Sequence, residues 1–313
     1  MAGRNGKRGV ADRRAARLPG GQRRHSLKSP TMWVLPLTLV LLSAGLHASW
    51  NLIVKRQDDK LFSGWLTSLV PSVLLAPALV FTGLPSLDVW PILCASGLVH
   101  TVYMISLVQA YSHGDLSVVY PVARGSAPLL VAIGAPLLLG ERLSPTAVFG
   151  IVLVGGGITC LGLSARRSAG KLRGLLWALA TAGTIATYSM IDKVGVARAN
   201  PLAYVIVLLG LNGAGMTPYV LWRRDRRHLW ALWRDTWPSA VTGGLLSLVA
   251  YLLVLTAMRL TQVSYVAALR ETSVVFAAVL GARVLGEPYG GRRVAASVVV
   301  ACGLLLLVVA MRG

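Results

Sequence analysis

Arg124, Arg270 and Glu271 each lie inside a stretch of apolar sequence long enough to cross a bilayer, where a charge has to be paired or solvated. Arg124 stands about eight residues into its stretch, which at ~1.5 Å per residue puts it ~12 Å deep, close to mid-bilayer. Tyr120 precedes it by one helical turn on the same face and Ser117 by two. Together they make a donor-rich surface suited to a carboxylate or a phosphate. The competing assignment for Arg124 is a structural ion pair. Arg270 and Glu271 are adjacent but project ~100° apart on a helix, so they address different neighbours. Glu271 either pairs with Arg124 or is the deep carboxylate that exchanges a proton for ion coupling.

Ser43, His47, Asn51 and Lys55 recur every four residues and form one polar stripe on the first helix. Such a stripe faces protein or water, not acyl chains. His47 and Asn51 then contact a substrate or a proton, or else glue helices together by hydrogen bonds, while Lys55 snorkels at the helix end. Trp50, Tyr103, Tyr188, Tyr251 and Tyr265 offer aromatic surface for an apolar or planar solute, against packing and interface anchoring as the plainer role. Asp192, at the end of the sixth apolar run, reads as a solvated or capping carboxylate. Glu141 and Glu287 each follow a Leu-Gly and close their runs as structural residues, and Ser144-Pro145 starts the next helix with a cap and a first-turn proline. Gly155, Gly156 and Gly157 allow close helix contact and call for no ligand.

Several chemistries are excluded on the same grounds. Cys94, Cys160 and Cys302 are odd in number, lie in apolar runs and have no CxxC spacing, so neither a disulfide framework nor a metal site is expected. Gly170-Lys171 is followed by Leu172 and has no glycine at the right place upstream, so it is no phosphate-cradling loop and no ATPase is expected. The deep ionisable residues are too few for paired acids or a nucleophile with its base, which argues against an enzyme, and no cofactor is implied. A net charge of +20 raises the question of nucleic acid, but the Lys and Arg sit in the leading tail and in short gaps between apolar runs. That placement suits lipid headgroups and not a nucleic-acid groove.

The elements that must position these residues are membrane helices. With 55% hydrophobic and 13% charged residues and a mean hydropathy of +0.66, the chain has hydrocarbon as its main solvent. Apolar runs bounded by charges, Pro or Gly predict spans near 33–53, 62–83, 89–110, 116–138, 145–164, 172–192, 201–222, 238–258, 262–284 and 291–311. The connections are short, and only Trp222–Trp237 has room for a small interfacial helix. Residues 1–31 are a basic tail expected to be disordered; Arg23-Arg24 there only superficially resembles an export signal, and Met32 is the more natural start. The charge rule divides on orientation: the tail argues for termini inside, whereas Lys55, Arg56, Lys60, Arg166, Arg167, Lys171, Arg173 and the 223–227 cluster lie on the opposite side.

Two stretches repeat. AGLHASWNLIVK (Ala44 to Lys55) lies over AGTIATYSMIDK (Ala182 to Lys193) in register, and Arg124 precedes Glu141 by seventeen residues as Arg270 precedes Glu287. Five spans per half is odd, so the two copies enter the membrane in opposite directions. The motifs HASWNLIVK, DLSVVYPVARGSAP followed by LGE, and YVAALRETSVVFAAVLGARVLGE resemble the drug/metabolite transporter superfamily in its ten-helix EamA-type form, over roughly Met32 to Met311.

That resemblance implies an all-α membrane protein of about ten transmembrane helices, in two inverted five-helix repeats around a central cavity. The repeats are expected at 32–164 and 171–311. It implies a secondary transporter of a small metabolite, amino acid or drug-like solute by alternating access, with export the preferred direction, in the cell inner membrane. Expected partners are the solute and membrane lipid, with homodimerisation left open and no nucleic acid. The alternative is a non-transporting scaffold or a lipid-handling protein of the same fold.

Overall fold

The computed structural model describes residues 33–55, 57, 59–164, 172–224, 226–274, 276 and 291–312. The basic tail at 1–31, the Arg166 to Lys171 stretch, Glu287 and the far half of the ninth expected span lie outside that set. All elements among the described residues are helical: α1 (Val34–Lys55), α2 (Lys60–Leu75), α3 (Leu79–Thr82), α4 (Trp90–His113), α5 (Leu116–Leu139), α6 (Pro145–Ser164), α7 (Leu172–Val196), α8 (Pro201–Arg223), α9 (Arg226–Leu260), α10 (Val263–Arg270) and α11 (Gly291–Arg312). A 3₁₀ turn at Ala76–Ala78 joins α2 to α3 into one span. Among the described residues eight spans are long and apolar enough to cross a bilayer, and Pro145–Cys160 is a shorter apolar helix.

The core is apolar, but the exterior is apolar too, and several charged or polar side chains are buried. Phe81, Leu87, Leu137 and Leu138 are exposed on the outside, while Arg124, Asp192, Asn212 and Glu271 are buried inside. Hydrocarbon as solvent accounts for both. Local signals set the helix ends. Ser144 Oγ accepts the Ala147 N–H at 3.2 Å ahead of Pro145, Asn200 caps α8 ahead of Pro201, and Gly140 ends α5 in the left-handed region at φ 67°.

The packing has an exchange symmetry. α1 lies along α9 as α4 lies along α7, α2 packs on α9 as α4 packs on α8, and α2/α8 and α6/α11 are self-matched pairs. Exchanging the first five spans for the last five maps these contacts onto one another, as a twofold between halves requires. Residue contacts make the pairs antiparallel: Ser43 donates to the Ala250 carbonyl at 2.8 Å and Ile53 meets Gly243. In the matching pair Ser96 meets Asp192 and Gly114 meets Gly174. Glycine matters most where α5 crosses α6, because a Cβ on Gly125 would stand 2.6 Å from the Gly155 carbonyl.

Two expectations change. The small interfacial helix expected within Trp222–Trp237 is instead part of α9, a single 35-residue helix from Arg226 to Leu260. The ninth span does not run as one continuous helix: α10 ends at Arg270, Glu271 sits in a turn whose N–H reaches the Ala268 carbonyl at 3.1 Å, and Thr272 Oγ1 donates to the Leu269 carbonyl at 2.7 Å. A helix interrupted in the interior frees backbone polar groups only where protein covers them; Thr272 and Ser273 are buried there.

Candidate functional site

The break after α10 delivers Glu271 to Arg124 on α5. Arg124 Nη2 stands 3.0 Å from Glu271 Oε1 and its Nε donates to Oε2 at 3.1 Å. Nη2 also donates to Ser273 Oγ at 3.4 Å. Both side chains are buried, so the forked pair neutralises charges that neither residue could keep alone in hydrocarbon.

Arg270 is placed differently. It is buried, its guanidinium lies over the Tyr251 ring at 5.6 Å, and among the described residues no carboxylate is within ion-pair distance of it. His47 is within electrostatic reach of both Arg124 and Arg270, as are Tyr103 and Tyr188 for Arg124. Tyr120, half-buried, completes that side.

On α1, His47 and Asn51 of the polar stripe are bonded within their own helix. Trp50 Nε1 donates to His47 Nδ1 at 3.1 Å with the rings edge to face, and Asn51 Nδ2 donates to the His47 carbonyl at 2.7 Å. Ser43 alone of the three described polar side chains bridges to another helix, α9. Tyr103, Tyr188 and Tyr251 come together. Tyr188 meets Tyr103 edge to face at 5.7 Å and Tyr251 at 6.4 Å. Tyr265 stands apart, at the rim near Ser144 and Glu141.

The sequence-based assignment of Asp192 is corrected. It is fully buried, because three other helices converge on it. Tyr204 of α8 donates to its Oδ1 at 2.8 Å, and Ser96 of α4 and Tyr251 of α9 donate to it as well. His100 of α4 brings Nε2 to 3.9 Å from Oδ2 and stacks on Tyr188 at 4.0 Å. Sequence reasoning misses His100, Ser96 and Tyr204. The available signals are the four-residue spacing of Ser96 and His100, matched by that of Tyr188 and Asp192, and the fact that Asp192 falls on Val54 in the repeat.

Both rims are tied. Where α5 ends, the Glu141 carboxylate accepts the N–H of Val263 at 2.5 Å, the N–H of Ser264 at 3.2 Å and the Ser264 hydroxyl at 2.6 Å. Lys193 Nζ donates to the carbonyls of Met258 and Thr261 beside it. At the opposite rim Asp59 caps α2 through the Phe62 N–H and pairs with Arg224 at 2.5 Å. Partial burial works against the Asp59 charge, but the Arg224 guanidinium and the N–H groups of Phe62 and Leu61 outweigh it and hold this carboxyl below the usual carboxylate range.

The sequence matches the model of the EamA-like transporter family twice, over residues 32–163 and 172–309. One solved crystal structure superposes with a TM-score of 0.71 at 20% identity, covering 88% of this chain and 96% of its own, which shows a shared fold. No curated protein matches.

Proposed function

Because the chain belongs to the EamA-like transporter family, whose members carry small solutes across membranes, we propose that it is a secondary transporter working by alternating access, with its solute held beside Arg270. The observation that carries this is the contrast between two buried guanidiniums. Arg124 is charge-paired with Glu271 and also donates to Ser273, whereas Arg270 has an aromatic face beneath it and no carboxylate in contact among the described residues. A buried guanidinium with no carboxylate in contact is expensive, so an anionic group of the solute is the natural partner. The aromatic faces of Tyr103, Tyr188 and Tyr251 would grip the rest of the solute, with Trp50, His47 and Asn51 bordering it from α1 and Tyr120 from α5. Arg124 and Glu271 act as the buried fastening between the halves, and the halves rock about the site as rigid bodies.

Purified protein in sealed vesicles, offered a labelled panel of amino acids, organic acids, nucleosides and drug-like cations, tests this. Flux is expected for anionic or zwitterionic members and should fall at least tenfold in Arg270→Gln, with the protein still inserted. Unaltered flux in Arg270→Gln, or a preference for cations, would refute the site. A protein that moves no panel member but co-purifies with another protein or with lipid would favour the scaffold or lipid-handling alternative.

A further inference from the structure

Five buried residues among those described carry or can carry charge: Arg124, Arg270, Asp192, Glu271 and His100. Two arginines stand against two carboxylates, so the interior is neutral while His100 is neutral and carries one positive charge when His100 is protonated. Asp192 is the carboxylate without a guanidinium; the imidazole of His100 is the cationic group within ion-pair distance of it among the described residues.

Hydrogen bonding fixes which imidazole nitrogen is free. His100 Nδ1 is 3.0 Å from the Ser96 carbonyl, which can only accept. Nδ1 therefore carries the hydrogen in the neutral ring, and the Ser96 hydroxyl beside it is already spent on Asp192. Nε2, facing Asp192 Oδ2 at 3.9 Å, is the bare nitrogen, protonated only when the ring becomes a cation. We infer that His100 Nε2 and Asp192 form the binding site of a single exchangeable proton, and that this proton is co-transported with an anionic solute held by Arg270.

The surroundings fit that role. Tyr204 of α8, Tyr251 of α9 and Ser96 of α4 give Asp192 neutral O–H donors, which steady a carboxylate without cancelling its charge. Tyr188 of α7 stacks on the imidazole. From α10, Arg270 lies within electrostatic reach of His100. The charged group of α5, Arg124, is matched by Glu271, and α2 approaches α4 through Gly64 against Met104. Lys193, next in sequence to Asp192, is turned to the Met258 and Thr261 carbonyls. Tyr251 joins the two sites physically: its hydroxyl is on Asp192 and its ring lies under the Arg270 guanidinium. Loading His100 leaves the interior with one net positive charge, which favours entry of an anion, and by reciprocity a bound anion favours loading of the proton.

The coupling half of this inference rests on the transporter reading; the proton site does not. Infrared difference spectra of detergent-solubilised protein with isotope-labelled histidine, taken between about pH 8 and about pH 5, count protonating imidazoles. One of the five histidines' contribution should disappear in His100→Gln, and it should also disappear in Asp192→Asn, where the counter-charge is gone. Tyr251→Phe, which keeps the ring under Arg270 and removes only one hydroxyl from Asp192, should fold and shift the midpoint of that contribution. Spectra of His100→Gln and Tyr251→Phe identical to wild type would overturn the proton site. In vesicles, a pH gradient with the acid side outside should drive solute accumulation inside in wild type and leave only downhill flux in His100→Gln. Solute movement indifferent to the gradient in wild type would overturn the coupling while leaving transport standing. A titrating His100 in a protein that moves no solute would overturn transport and the coupling together, while leaving the proton site standing.

Discussion

At the scale of single residues, a buried guanidinium forked onto a carboxylate is stable only as a pair. Arg124→Ala leaves Glu271 buried without its counter-charge, and unfolding stability in detergent should fall by about 3–5 kcal/mol. Replacing both residues, Arg124→Met with Glu271→Gln, should recover most of that loss; a double variant no more stable than the single one would contradict the pairing. Asp59 is the other residue with a clear electrostatic role. Its carboxyl is held below the usual range by Arg224 and backbone N–H groups, so the pair's contribution is fully present above the unfolded value near pH 4 and is lost as the pH falls through the lower folded value. Asp59→Asn keeps a capping acceptor and removes the charge, so its melting temperature should lie below wild type at neutral pH and converge with it below about pH 4. The Arg124–Glu271 pair was legible in the sequence because both residues interrupt apolar runs and fall within matched spans of the repeat. Asp192 was not, because its donors come from α4, α8 and α9, 12 to 96 residues away along the chain.

At the scale of helices, close approach and capping decide what each element tolerates. Gly125 and Gly155 meet backbone to backbone, while a Cβ added at Gly156 would have nothing within 4 Å. Gly155→Leu should therefore destabilise by about 1–3 kcal/mol through overpacking, and Gly156→Ala should be near neutral, as judged by thermal unfolding. Three consecutive glycines could be read as a contact strip from sequence, but which of them touches a neighbour depends on rotation about the helix axis. Glu141→Ala takes an acceptor from the first N–H groups of α10, and a loss of about 1–2 kcal/mol is expected on the same assay. Composition misleads at this scale in two places. α5 carries Pro121, Pro128 and Pro136 and stays one helix, whereas the chain after α10 turns at Glu271 without a proline or glycine. In the first case α5 is packed on α6, α7 and α10, and protein around a helix tolerates such prolines; in the second the turn places Glu271 against Arg124 of α5.

At the scale of the whole molecule, everything depends on the polar interior being reached by water from each side in turn while the apolar exterior faces lipid. The order of the spans, the repeat and the class of fold were legible because hydrocarbon imposes long uncharged runs and duplication leaves matched motifs. The pairing of α1 with α9 and of α4 with α7 was not, since it arises from contacts between the halves. The most direct test uses single thiols in a background with Cys94, Cys160 and Cys302 replaced. Asn51→Cys, in the polar stripe of α1, should react with a membrane-impermeant maleimide added from either side of oriented vesicles. Leu137→Cys, whose native side chain is 79% exposed on the outer surface, should react only with a lipid-soluble reagent. If the thiol at position 51 behaves like the one at 137, or is reached from one side alone, an alternately accessible polar interior is contradicted.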